Sequence, residues 1–294
     1  MRSQKIFCIS LCLVIGFGLC TSIAQAQTKS QEIQAIILIN KMQDFYFHRQ
    51  VIRLQDIVSC KPRIEVWSKE DREEWNNMSK QLATLVAIDQ TGNERKAKFY
   101  DKMNSGFEEA VTYVNSMCEA WNKKGPLDRE AMMPMVKAEM RLTYAMDELI
   151  RHLARDVDFA ALTDEQRQQF IEIILLTRMA EELRTAIGIA FIENANWYVS
   201  EGISNFWPQM GKFDITAVLY QAVVDFNKPQ NKNKDESFTR LKKVKSLAVV
   251  NASKLYPAKQ ETGKPDLESL RGLKENFIML VPIFQKLMDE TVPQ

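Results

Sequence analysis

Apolar residues recur at intervals of three and four along nearly the whole chain, the spacing of one face of an α-helix. From 31 to 58 the series is Ile33, Ile37, Phe47, Val51, Leu54 and Val58, with two polar residues, Asn40 and Asp44, set into the seam. Lys61-Pro62 closes this first helix, because a residue before proline avoids helical angles. Ser68 is a good N-cap for the second, with Glu70 and Asp71 in its first turn. Trp75, Met78, Leu82 and Leu85 form its apolar face, and Gly92 is placed to end it. Phe99, Met103, Phe107, Ala110, Val114, Met117 and Trp121 give a third helix with a near-heptad seam, stopped by Gly125-Pro126. A fourth is read as restarting at Pro134, since proline is accepted in a first helical turn. It turns Val136, Met140, Ile150 and Leu153 inward.

The stretch from Thr163 to about Ile203 is different. Thr163-Asp164-Glu165-Gln166 is a capping box that fixes its start. Phe170, Ile173, Ile174, Leu176, Leu183, Ile187, Phe191 and Tyr198 then make one broad face, and Ile171, Leu175, Met179, Ile189 and Trp197 lie on the other. A helix apolar on nearly every side is a buried helix. Glu172, Arg178, Glu181, Glu182 and Arg184 interrupt it too often for a membrane span. Forty residues would reach about 60 Å, so a break is expected near Gly188 or Gly202, or a turn at 194–196. Further helices follow at 214–226, 237–256 and 267–290, the last kinked by Pro282, with a Lys- and Asn-rich loop at 227–236. No internal repeat, heptad array or low-complexity segment stands out. The pattern therefore predicts an all-α fold, a multi-helix bundle of about eight helices around a long central helix.

The first 26 residues stand outside this pattern. Arg2 and Lys5 supply positive charge, Ile6 to Cys20 is a short apolar run, and Ala24-Gln25-Ala26 is a small-residue cleavage site. That is the form of a secretory signal peptide cleaved after Ala26, which places the mature chain in a secreted or periplasmic setting. Residues 27–294 are then one helical domain, with a division into 27–210 and 211–294 as the alternative. No later segment is apolar enough to span a membrane. Three of the five cysteines fall in 1–26. The remaining pair, Cys60 and Cys118, suits one disulfide in an oxidising compartment, and the helix order brings both to the same end of the bundle.

Candidate chemistry is sparse. Two histidines, His48 and His152, are a poor stock for catalysis or metal binding. Glu148 and His152 are four apart, whereas a di-iron bundle site wants Glu and His three apart, twice. Neither the Cys-x-x-Cys-His of a c-type haem site nor the motifs of a P-loop, a dinucleotide fold or a nucleophile elbow occur. No cofactor or metal is expected. Glu172, Arg178 and Glu182 run along one side of the central helix, and with Asn40 and Asp44 they form a candidate ligand pocket; the alternative is a structural ion-pair network. Net charge is +1. Between 227 and 260, however, Lys and Arg outnumber acidic residues, and Arg240, Lys242, Lys243 and Lys245 suit contact with an anionic surface in the envelope. Nucleic acid is not expected as a partner.

Ile39-Asn40-Lys41 and Leu176-Thr177-Arg178-Met179-Ala180 resemble the helical sensor domains of type IV pilus-type chemoreceptors and nitrate sensors. Those families carry Ile-Asn-x-x-Gly-Arg-Gln-Arg-Met-Leu-Ser-Gln on one helix. Residues 43–46 are Gln-Asp-Phe-Tyr here, so the resemblance carries over no site. It implies a soluble, bundle-type ligand sensor. Ahead of that stands a non-catalytic helical binding or interaction protein, and behind it an enzyme with no recognisable motif.

Overall fold

The computed structural model describes residues 31–86, 94–194 and 205–292. These form an all-α bundle of eight α-helices with no strand among the described residues. We number them α1 (31–58), α2 (Lys69–Leu85), α3 (Glu94–Lys124), α4 (Arg129–Asp156), α5 (Asp164–Asn194), α6 (Phe206–Val223), α7 (Lys232–Thr262) and α8 (Leu267–Thr291). No described helix is long and apolar enough to cross a membrane.

Local chemistry sets most boundaries. Ser68 caps α2 in a reciprocal capping box with Asp71, and Thr163 and Gln166 do the same for α5, at 3.0 and 3.2 Å. α1 ends in a Schellman motif: the Cys60 N–H donates to the Ile57 carbonyl and the Lys61 N–H to that of Asp56, each at 3.0 Å. Cys60 thereby holds φ at 50°, a position that glycine usually fills. Several expected boundaries move. α4 runs unbroken from Arg129 with Pro134 inside it, because Asp128 already caps its start. Met140 is exposed rather than inward. α6 begins at Phe206, with Pro208 in its first turn, where the missing N–H costs no helical bond. α7 starts at Lys232 instead of 237, directly after a short 3₁₀ turn at Pro229–Asn231. Gly92 and residues 195–204 lie outside the described residues.

Two long helices share the middle. Gln34 is the exposed residue of α1, and between 172 and 194 only Arg178 and Thr185 of α5 are exposed. α1 bonds to α4 through Gln43–Asp147, touches α8 through Phe47 and Phe277, and meets α5 at Asn40 and Asp44. α5 packs on α6 and α8, α3 on α4, and α7 on α8. Gly188 lets α5 approach α1: a Cβ there would sit 3.3 Å from Phe47.

The eight helices are two copies of one four-helix unit. α3 and α7 start 138 residues apart (232 − 94), as do α4 and α8 (267 − 129). Gly125 and Gly263 end α3 and α7 with φ of 82° and 69°, and Asp128 and Asp266 cap α4 and α8. The buried Met132, Met135, Leu142, Met146 and Leu149 of α4 fall on Leu270, Leu273, Leu280, Phe284 and Leu287 of α8. Lys96 and Lys234 are both buried and ion-paired, to Glu32 and Asp156 in one unit and to Glu172 in the other. Ile36-Ile37-Leu38-Ile39-Asn40-Lys41-Met42 of α1 matches Ile173-Ile174-Leu175-Leu176-Thr177-Arg178-Met179 of α5. The equivalent residues Asn40 and Thr177, 137 apart, hydrogen-bond to each other at 2.9 Å, as equivalent positions do where they meet on a two-fold axis.

Candidate functional site

The five residues of the polar stripe do not form one pocket. Asn40 donates to the Ile36 carbonyl and to Thr177 Oγ1. Asp44 accepts from Arg184 Nη1 at 2.6 Å, and Arg184 Nη2 donates to Gln43 Oε1 at 2.7 Å. Gln43 passes the chain on to Asp147 at 2.7 Å. This seam between α1 and α5 is buried, and burial raises the Asp44 carboxyl against the pull of Arg184. Burial, then the nearby Glu181, pushes Asp147 up to about 6. Glu172 lies elsewhere, taking Lys234 Nζ at 2.7 Å and Gln168 Nε2 at 3.0 Å and tying α5 to α7. Arg178 is exposed, with its Nε 3.1 Å from Glu182, which also accepts from Thr216 of α6. The stripe is thus three separate ties between helices.

Cys60 and Cys118 are not bonded to each other. The expectation failed because residues 61–67 run as an irregular strap back along α3. Trp121 Nε1 donates to the Lys61 carbonyl, Asn122 bonds both N–H and C=O of Ile64, and Asn115 accepts from the Trp67 N–H. Cys60 stays exposed before the strap begins, while the buried Cys118 points at the Glu65 carbonyl, 3.5 Å away. Burial pushes the Cys118 thiol up to about 11, so it is no activated nucleophile.

Beneath the strap lies a cluster that the sequence reading passed over. Glu139 of α4 is buried and accepts from Tyr46 OH at 3.2 Å and Gln50 Nε2 at 2.7 Å. Arg53 Nη1 stands 3.8 Å from the same carboxylate, with both side chains 5% exposed. The Trp67 ring stacks on Tyr46 and lies over the Arg53 guanidinium. Burial raises the Glu139 carboxyl, and Arg53, Gln50 and Tyr46 hold it back. Nε and Nη1 of Arg53 and Nε1 of Trp67 have no hydrogen-bond partner among the described residues. Both side chains form part of the wall of a cleft of about 750 Å³, with Arg49, Asp56, Lys61 and Asp71 around it. Three buried donors without an oxygen acceptor are costly, and each asks for an explanation, although the Cys118 thiol lies beside the Arg53 guanidinium.

The second unit shows that the fold does not require this cluster. Counterparts of Tyr46, Gln50 and Arg53 are Leu183, Ile187 and Ala190, and the counterpart of Glu139 is Phe277, all buried and apolar. The sequence did hold a signal: Tyr46, Gln50 and Arg53 follow one another at helical spacing on α1. Without knowing that α4 covers that side, such a stripe reads as solvated.

His152 stacks on Phe99 and Glu148 is paired with Arg151, so the two do not act together. No group of three or more His, Cys, Asp or Glu residues suited to a metal occurs among the described residues. No family model, curated protein or solved structure matches this chain.

Proposed function

We propose that this chain is a secreted or periplasmic, non-catalytic binding protein, delivered by a signal peptide cleaved after Ala26, whose ligand occupies the cleft beneath the strap. One observation carries the reading. Arg53 and Trp67 carry buried N–H groups with no hydrogen-bond partner among the described residues, and the duplicate unit is apolar where Arg53 and its neighbours Tyr46, Gln50 and Glu139 stand. A group that supplies acceptor oxygens, such as a carboxylate or another small oxyanion, would complete those donors once a shift of the strap opens them to the cleft. Glu139, already taken up by Tyr46 and Gln50, holds the guanidinium in place behind it. The mix of charged and apolar wall residues suits a small molecule better than a polymer.

The sensor reading keeps one specific observation. The two segments that resemble chemoreceptor sensor helices occupy equivalent places in the two units and touch through Asn40 and Thr177. A ligand beneath the strap lies on α1, the same helix that carries this seam.

Thermal melts against a panel of small carboxylates and inorganic oxyanions test the proposal, with whatever co-purifies from the native compartment added to the panel. A ligand at a hundredfold its Kd stabilises by about 2.7 kcal/mol. That gain should vanish in Arg53→Lys, which cannot reproduce the guanidinium fork. A gain that survives this change, or no gain with any compound, would overturn the reading.

A further inference from the structure

The outer face of α6 is apolar where a solvated helix should be polar. Ile215, Val218 and Leu219 are 66%, 63% and 51% exposed, and Trp207 at the start of the helix is 40% exposed. The duplicate again serves as an internal control. The buried Trp75, Leu82 and Val86 of the first unit match Phe213, Tyr220 and Val224 of the second. In that register Ile215, Val218 and Leu219 fall on Asn77, Lys80 and Gln81, all exposed and all polar. The scaffold therefore has no need of apolar side chains on this face.

α7 lies alongside and supplies charge. Lys245 of α7 bonds Asp214 of α6, and Tyr220 packs on Phe238, so the two helices run side by side. The edge of α7 that turns toward α6 carries Lys242 as well as Lys245, and Arg240, Lys242 and Lys243 are exposed. No ion pair holds Arg240 or Lys243 among the described residues. Leu247 and Val250 of α7 are also 43% and 50% exposed, on the side turned away from Lys245 and α6.

We infer that the α6–α7 face docks on a membrane surface rich in anionic headgroups. Apolar side chains that enter the headgroup layer, flanked by Lys and Arg, are the pattern of a surface-bound helix, one that lies on the bilayer without crossing it. A second copy of the chain fits less well. In a two-fold contact each patch meets itself, and with the axis across the helices the basic rows of both α7 helices would face each other. This inference is independent of the cleft beneath the strap, which belongs to the other unit.

Co-sedimentation with lipid vesicles tests it, using the protein in the form its host retains. The variant Ile215→Ser/Val218→Ser/Leu219→Ser is compared in the same background, so any N-terminal apolar segment is common to both. Wild type should bind phosphatidylglycerol vesicles, bind phosphatidylcholine vesicles weakly, and lose affinity as salt rises. The triple variant should bind at least about tenfold more weakly while its helical content is unchanged. Should it misfold, Lys242→Gln/Lys243→Gln, two exposed positions of which only Lys242 meets the core, over the Phe238 ring, should weaken binding by about tenfold or more. No binding to phosphatidylglycerol, or equal binding to both lipids that survives the substitutions, would overturn the inference. So would a concentration-dependent dimer in wild type that the triple variant abolishes, since the face would then belong to a second copy.

Discussion

Removing Glu139 alone should damage the protein more than removing Glu139 and Arg53 together. At 3.8 Å and an effective dielectric constant of about 20, the attraction between the two groups is about 4 kcal/mol. Glu139→Leu abolishes it and leaves a guanidinium that is 5% exposed without a counter-charge. It also leaves Tyr46 OH and Gln50 Nε2 without their acceptor. A loss of about 3–5 kcal/mol is expected for a buried pair broken from one side. Arg53→Met/Glu139→Leu removes the stranded charge with its partner and fills most of the space. Its stability should return to within about 1–2 kcal/mol of wild type, since apolar replacement of a buried pair is often neutral or favourable. The second unit already holds Ala190 and Phe277 at these positions. Arg53→Met alone strands the Glu139 carboxylate and should also destabilise, so the double-mutant cycle, measured by urea unfolding near neutral pH, should give a favourable coupling of more than about 2 kcal/mol. A double variant as unstable as Glu139→Leu would refute the reasoning, because the first unit would then need polarity where the second does not.

Two further outcomes follow from the buried groups. Asp147 is raised from 3.8 to about 6, so the folded state holds its proton more tightly than the unfolded state does. Its contribution to stability is complete below the unfolded value and is lost as pH rises through about 6, at most about 3 kcal/mol. Asp147→Asn should flatten that part of the stability profile, and an unchanged profile would assign it to other groups. Mass spectrometry after alkylation should find Cys60 modified in the native protein and Cys118 modified only after unfolding, whereas a linked Cys60–Cys118 peptide in an unreduced digest would contradict the strap.

The helical class was legible because periodicity and caps are local. Ser68, Thr163, Gly125 and Asp266 act over three or four residues, and each sits where its chemistry places it. Partners were not legible, because they depend on which helix lies opposite. Asp44 and Arg178 looked like partners in one stripe, yet Asp44 pairs with Arg184, six residues further along α5, and Arg178 turns outward. The disulfide failed for a similar reason. Helix order brought both cysteines to one end of the bundle, but nothing in it showed that the strap would run back along α3 between them. The duplication was hidden because equivalent positions share size and burial more than identity: Met132 with Leu270, Asn40 with Thr177, Glu139 with Phe277.

The seam between the two units is not symmetric, and that asymmetry predicts how each unit behaves alone. Asp44 of α1 meets Arg184 of α5. In the duplicate register Asp44 corresponds to Glu181 and Arg184 to Phe47. A copy of α1 paired with α1 would set Asp44 against Phe47 on both sides, two buried carboxylates with no cation, each costing several kcal/mol. A copy of α5 paired with α5 would instead set Arg184 against Glu181 twice, and Thr177 against Thr177, whose hydroxyls can bond each other. The half-chain 163–294 should therefore form a helical dimer through α5 in sedimentation experiments at micromolar concentration. The half-chain 27–162 should not form the corresponding dimer through α1. Within the 163–294 dimer, Arg184→Phe should abolish association, because it recreates the α1 arrangement with Glu181 left unpaired. A monomeric 163–294, a dimer that Arg184→Phe leaves intact, or an equally stable dimer of 27–162 would show that apolar packing, and not the Asp44–Arg184 pair, decides which helix meets which.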